Sequence, residues 1–461
     1  VQAPNATRSS WAIGTSGVIL GRHGRSLLVC RKNSRPQHPG DRSRNERADP
    51  CRCPAHWDAP AGDPRYRLRI ACQSGNDLRS GETFRLGDKA VAADPGAVAP
   101  PAADDLLPPQ FTPGSSGNYA AGVLDLTLAG PDAALLPRLA EAMAYGASVD
   151  DLNSYERSRI VPELKDAVSE RWPYEAEAFL ATNGGYNAVY TILHALVSSG
   201  SSVAIEHPTA MRLLDILEDL GVKIIPVACD GEGPLPDSLR EALQQRPAAF
   251  LFQPRLHSVT GVTVSSSRLD QLGDVLEDSD TLIIEDDGVG DVSAAPPQSL
   301  GGRFAERTIH ILSLSKSLGP DLRLAVLSSS APIVDQIQSY RSFSAGWTSR
   351  ILQGAAAWLL RDPASWQLIG EAREIYQQRR DALADALSER GIPIPPGQGL
   401  CLWVPVVSEP FAMVTLAARN IAVNPGSKFS VLPSSHIRVA TSTLSHRCEE
   451  AADAIALAHT P

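Results

Sequence analysis

From Gly122 onward, short apolar runs rich in β-branched residues alternate with stretches whose apolar positions recur every three to four residues. The first pattern is that of strands buried on both faces and the second that of amphipathic helices. Their alternation predicts an α/β fold with a mostly parallel sheet. Strands are expected at Ser202 to Ile205, Lys223 to Val227, Ala249 to Phe252, Thr281 to Ile284 and Ile309 to Leu312. Helices are expected over 135–144, 158–172, 185–198, 209–220, 236–245, 267–277, 331–341 and 347–361. A further helix at 364–390 opens a smaller C-terminal α+β domain, with strands at Leu400 to Val404 and His436 to Ala440. The large domain therefore spans 122–363 and the small one 364–461.

Upstream the texture differs. Residues 1–85 carry only apolar islands, such as Gly17 to Leu20 and Ser26 to Val29, in text rich in Arg, Pro, Ser and Asn, and no helix is predicted there. Residues 86–121 read as a linker, held extended by Ala-Pro text that includes Pro95, Pro100, Pro101, Pro108 and Pro109.

Charge follows the same division. Residues 1–85 hold fourteen Arg and one Lys against seven Asp or Glu, a net of +8, which leaves −18 on the remainder of a chain whose total is −10. A basic segment on an acidic body suits either a nucleic-acid-binding appendage or a solvated arm. Seven scattered cysteines, an odd number, argue against a disulfide framework. Cys51, Cys53 and His56 form one C-x-C with a single histidine, too few for a zinc site, and no metal is expected. No apolar run reaches membrane-spanning length and no secretory signal opens the chain, so a cytoplasmic protein is expected.

Ligands in such sheets sit at the carboxyl ends of the strands, which directs attention to the polar residues that follow each apolar run. Lys316, one of only six lysines, follows the run Thr308 to Leu312 within Ser313-Leu314-Ser315-Lys316. An amine can deprotonate and condense with an aldehyde, as arginine does not, and this marks Lys316 as a cofactor anchor. Glu285-Asp286-Asp287 follows the strand at 281–284 and offers a carboxylate to a pyridinium nitrogen. Gly184 and Gly185 precede the helix at 185–198, where free amides suit a phosphate, and the Ser313 and Ser315 hydroxyls with Arg323 suit the same group. Gln253 to Gly261 is a fourth polar turn at a strand end.

These residues, with Gly346-Trp347-Thr348-Ser349-Arg350, Gly399 to Pro405 and Asn424-Pro425-Gly426-Ser427, give residues 122–461 a clear resemblance. The stretch resembles fold-type I pyridoxal 5′-phosphate enzymes of the class I/II aminotransferase group, and more closely the aminotransferase-like domain of the MocR branch of GntR-family regulators. The resemblance implies a seven-stranded-type sheet, a pyridoxal 5′-phosphate cofactor and an amino-acid-like small-molecule ligand. Lys316 would be the covalent anchor and acid/base, and Asp286 the partner of the ring nitrogen. Gly184, Gly185, Tyr186, Ser258, Ser313, Ser315 and Arg323 would surround the cofactor, and Arg438 would hold a substrate carboxylate. Tyr155 matches a tyrosine that reaches the partner subunit's phosphate, which implies a homodimer.

The chain also departs from the pattern. Ser258-Val259-Thr260-Gly261 stands for Asn-Pro-Thr-Gly, Gly288 for a tyrosine or histidine, and Ala210 for an aromatic, while Arg212 remains available to an acidic ligand. Loss of both usual partners of the cofactor's phenolic oxygen favours binding over turnover. A regulator of this branch opens with a winged helix-turn-helix, which residues 1–85 do not resemble. Met143 is the first methionine, and residues 1 to about 80 read as an out-of-frame or decayed remnant of such a domain, so DNA is a partner only if that domain is intact. Three readings follow: a cofactor- or effector-sensing regulator, a stand-alone aminotransferase, or a non-catalytic scaffold.

Overall fold

Eight strands form the central sheet of the computed structural model, which describes residues 122–459, Tyr119 and one antiparallel ladder pairing Ile19–Leu20 with Ser26–Leu27. Residues 1–98 and 99–461 form separate units. Apart from that ladder, the basic segment and its Cys51, Cys53 and His56 lie outside the described residues.

In chain order the strands are β1 (Ala178–Thr182), β2 (Ser202–His207), β3 (Lys223–Asp230), β4 (Gly233–Pro234), β5 (Ala249–Phe252), β6 (Leu282–Asp287), β7 (Thr308–Ser313) and β8 (Ala325–Ser329). Their order across the sheet is β1-β8-β7-β6-β5-β2-β3-β4. From β3 to β7 the neighbours run parallel, apart from the two-residue antiparallel edge β4. β8 is antiparallel to both β7 and β1, so β1 points the same way as the rest. The mostly parallel sheet expected from the sequence is therefore present, as is every strand and helix expected downstream of Gly122, with ends shifted by a few residues.

The apolar runs are continuous because each strand feeds two cores. Val203 and Ile205 pack with Leu213, Leu217 and Ile192 on one face of the sheet, while Ala204 packs with Phe250, Leu272 and Ile283 on the other. Successive side chains point to opposite faces, and helices cover both. A third core joins Leu164, Leu359 and Val326.

The C-terminal part adds an antiparallel sheet in the order β9 (Cys401–Pro405), β11 (His436–Ala440), β10 (Asn424–Pro425). Its own core gathers Leu402, Val404, Ile437 and Val439 against Leu383 and Leu387 of a long helix, Pro363–Glu389. Among the described residues no helix is long and apolar enough to cross a membrane.

Candidate functional site

The register of the sheet assembles the site. β6 and β7 pair Asp286 with Ile311 and Asp287 with Leu312, while Ser313 and Thr182 both pair with Ala325. The carboxyl ends of β1, β6 and β7 are thereby brought level.

Of the three consecutive acids, the fold leaves one for chemistry. Glu285 and Asp287 point to one face and Asp286 to the other, as strand periodicity requires. Glu285 is consumed by the Ser299 hydroxyl at 2.5 Å, the Leu300 amide at 2.6 Å and His310 Nδ1 at 2.8 Å. Asp287 is held by two hydrogen bonds from the buried Arg255 guanidinium and by the Gly290 amide. Asp286 is 3% exposed and pairs with no such cation among the described residues. Burial, and then the charge of Asp287, raise its carboxyl to about 7, with Gln253 and His310 acting in the opposite direction.

A glycine pair opens the space beside it. Gly184, at φ 95°, ends the approach to helix α1 (Gly185–Leu196), whose first amides have no side-chain cap. A Cβ on Gly185 would lie 3.3 Å from the Ser313 Cβ and 3.7 Å from Asp286 Oδ1, and one on Gly184 would lie 3.5 Å from the Arg323 guanidinium. Ser313 and Ser315 join hydroxyls at 3.1 Å, and Arg323 donates to the Asn183 carbonyl at 3.5 Å. Uncapped amides, two hydroxyls and a guanidinium converging on a cleft that any larger side chain would narrow are the donor set for a phosphomonoester.

Lys316 stands in the turn between Ser315 and Ser317, half-buried. Burial, and next the charge of Arg438, lower its ammonium's pKa from the ordinary value, while Cys401 opposes them. Both causes favour the neutral, nucleophilic amine. Arg438, on β11, donates to the Thr127 carbonyl and lies 4.6 Å over the Phe429 ring, with its Nε buried and unpartnered. Tyr186, 47% exposed on α1, has its phenol raised to about 12 by desolvation at the cleft wall and then by Asp286, against Arg438 and Arg212. Arg212 stands in the first turn of α2 (Met211–Leu220) and is engaged only loosely, 3.9 Å from Asp215. The approach to α2 is tied to Phe429 by the Thr209 N–H at 2.9 Å.

Two expected residues sit differently. The Ser258 amide donates to Gln253 Oε1 at 2.7 Å, and its carbonyl accepts from Cys401 Sγ at 3.1 Å. Tyr155 is 88% exposed and packs edge-on against Trp347 at 6.0 Å, a surface position within one chain. His257 does not replace the missing asparagine. Its Nδ1 accepts the Val259 and Thr260 amides and its Nε2 donates to the Pro208 carbonyl at 2.8 Å, so both nitrogens are occupied. Burial takes its pKa down to about 4 and keeps it neutral. Sequence reasoning left Gln253, Cys401 and Arg255 without roles. The only signals were the polar turn after β5 for Gln253 and Arg255, and for Cys401 its place in the run Gly399 to Pro405.

The family model for aminotransferase class I and II matches residues 121–455. The vitamin B6 salvage pathway transcriptional repressor PtsJ of Salmonella typhimurium is 32% identical over 327 residues, covering 69% of this chain and 75% of that protein. The aspartate aminotransferase of Pyrococcus abyssi is 25% identical over 315 residues, or 64% of this chain and 80% of that one. In fold, the chain resembles the crystal structure of an aromatic aminotransferase from Pyrococcus horikoshii, at a TM-score of 0.67 and 23% identity, covering 73% of this chain and 96% of that one.

Proposed function

Because the chain belongs to the aminotransferase class I and II family, whose cofactor is pyridoxal 5′-phosphate, we propose that its strand-end cluster binds that cofactor and uses it to sense an amino-acid-like ligand. The observation that carries this reading is the convergence of Asp286, the Gly184–Gly185 cradle and the Ser313–Lys316 turn on one end of the sheet. Lys316 is the covalent anchor. Asp286 holds the ring nitrogen, and Gly184, Gly185, Ser313, Ser315 and Arg323 hold the phosphate. Tyr186 and Ser258 border the ring, while Arg438 and Arg212 take the carboxylates of the ligand. The cofactor, when bound, supplies an electron sink. Within the chain, the Lys316 Nζ moves the proton at the ligand's α-carbon, and the Asp286 carboxylate keeps a proton on the ring nitrogen.

The protein is on this reading a regulator of the MocR/GntR type, and its Salmonella relative is named as a transcriptional repressor. The replacement of the phenolic oxygen's partners by Ser258 and Gly288 supports sensing over turnover, and a Cβ at Gly288 would crowd Asp286 Oδ2 at 3.2 Å. A stand-alone aminotransferase is the second reading, favoured by the unpartnered Arg438 Nε and by a Lys316 amine held toward its neutral form. Titration with pyridoxal 5′-phosphate is expected to give a visible absorbance band that Lys316→Ala abolishes. A wild type that stays colourless would favour the scaffold, and sustained amino-group transfer on adding amino acids would favour the enzyme.

A further inference from the structure

Three polar residues stand on neighbouring strand ends: Glu206 on β2, Gln253 just past β5 and Asp286 on β6. Gln253 is 1% exposed, and a buried side-chain amide needs both of its ends met. Its Oε1 accepts the Ser258 N–H at 2.7 Å. With the oxygen committed, the amide presents Nε2 as donor on its other side, and the β5–β6 register, which pairs Phe252 with Glu285, sets Gln253 beside Asp286. Ser258 thus acts on the site through its backbone: its amide sets which way the glutamine faces.

We infer that Gln253 is a positioning residue, whose locked side-chain amide donates to Asp286 and holds that carboxylate charged and aimed at the ring nitrogen of the bound cofactor. The inference rests on the cofactor reading above. The other groups facing Asp286 make a neutral donor from β5 the effective one. On β6 itself, Asp287 repels it. On β2, Glu206 is 1% exposed, and burial pushes its carboxyl well above the ordinary carboxylate range. On β7, the His310 ring is committed to Glu285 at 2.8 Å. On α1, Tyr186 keeps its proton.

The test is a double-mutant cycle in the full-length protein, read as affinity for pyridoxal 5′-phosphate by absorbance titration from about pH 6 to about pH 9. Gln253→Met keeps the volume and removes the donor, and is expected to weaken binding about ten-fold. Gln253→Glu still accepts from Ser258 but sets a second carboxylate against Asp286, and is expected to weaken it further, most at the alkaline end. In an Asp286→Asn background, Gln253→Met should add less than about two-fold. The same loss in both backgrounds, or a loss that follows the melting temperature and is flat across pH, would overturn the inference while leaving the cofactor reading intact. A wild type with no cofactor-dependent absorbance would remove both.

Discussion

Asp286 holds a carboxyl in a place that disfavours its charge, which has a measurable consequence for stability. Its pKa is raised from 3.8 to about 7 in the folded chain, by burial and then by Asp287. Folding therefore takes up a proton between those values. The side chain's contribution is fully present below 3.8 and is lost as pH rises through about 7. A shift of this size corresponds to about 4 kcal/mol across the whole window. In cofactor-free protein, Asp286→Asn is expected to remove this dependence, so that its stability relative to wild type improves by about 2–3 kcal/mol between about pH 5 and about pH 7. Denaturant unfolding at several pH values measures this. A difference that stays constant with pH would show that Asp286 is already charged without the cofactor. The same substitution should weaken cofactor binding, so this carboxylate costs stability in folding and is kept for function.

At the scale of elements, the site was legible where one strand end carries its own chemistry. Lys316, Asp286 and the glycine pair each follow or precede an apolar run, so period and punctuation were enough to find them. Three strands of the sheet escaped: the two-residue edge β4, and β1 and β8, where Ala-Phe-Leu-Ala-Thr and Ala-Val-Leu-Ser-Ser dilute the β-branched signal with alanine and serine. The roles of Gln253 and Cys401 were hidden for another reason. They depend on contacts between separate elements, such as the Cys401 thiol of β9 reaching the Ser258 carbonyl 143 residues away.

The loop after β5 is where such contacts concentrate, and its glycine is a point of failure. Gly261 has φ 77°, a conformation costly for other residues, and a Cβ there would lie 2.5 Å from the Gln398 carbonyl oxygen. The same glycine's carbonyl accepts the Gln398 N–H at 2.8 Å, so the two backbones are hydrogen-bonded neighbours with no room to part. Gly261→Ala is expected to destabilise the protein by about 2–3 kcal/mol. It should also weaken the cofactor, since Ser258 stands three residues away on the same loop. A variant with unchanged urea midpoint would mean that the loop from Gly397 to Gly399 moves aside at no cost.

For the whole molecule, the exposed aromatics and the charge division lead to one experiment. Phe343 is 91% exposed, and Tyr155, 88% exposed, lies edge-on to Trp347. Large aromatic surface in that state suits burial against a second copy, the arrangement in which Tyr155 would reach the partner's phosphate. A dimer would also carry two copies of the basic segment 1–85, each with a net of +8, on a body of opposite sign. If those segments grip a duplex, binding is driven by counterion release, and two of them on one particle bind more tightly than one. The full-length protein is therefore expected to sediment at twice its 49.1 kDa. If residues 1–85 hold an intact DNA-binding domain, affinity for DNA should fall steeply with salt, the log–log slope being on the order of −4 or steeper. Tyr155→Glu together with Phe343→Glu should yield monomers, a shallower salt slope and weaker cofactor binding in one step. Monomers that keep full cofactor affinity would dissociate the site from the dimer. A dimer indifferent to DNA at low salt would leave the basic segment as a solvated arm and confine the protein's chemistry to the cluster around Lys316.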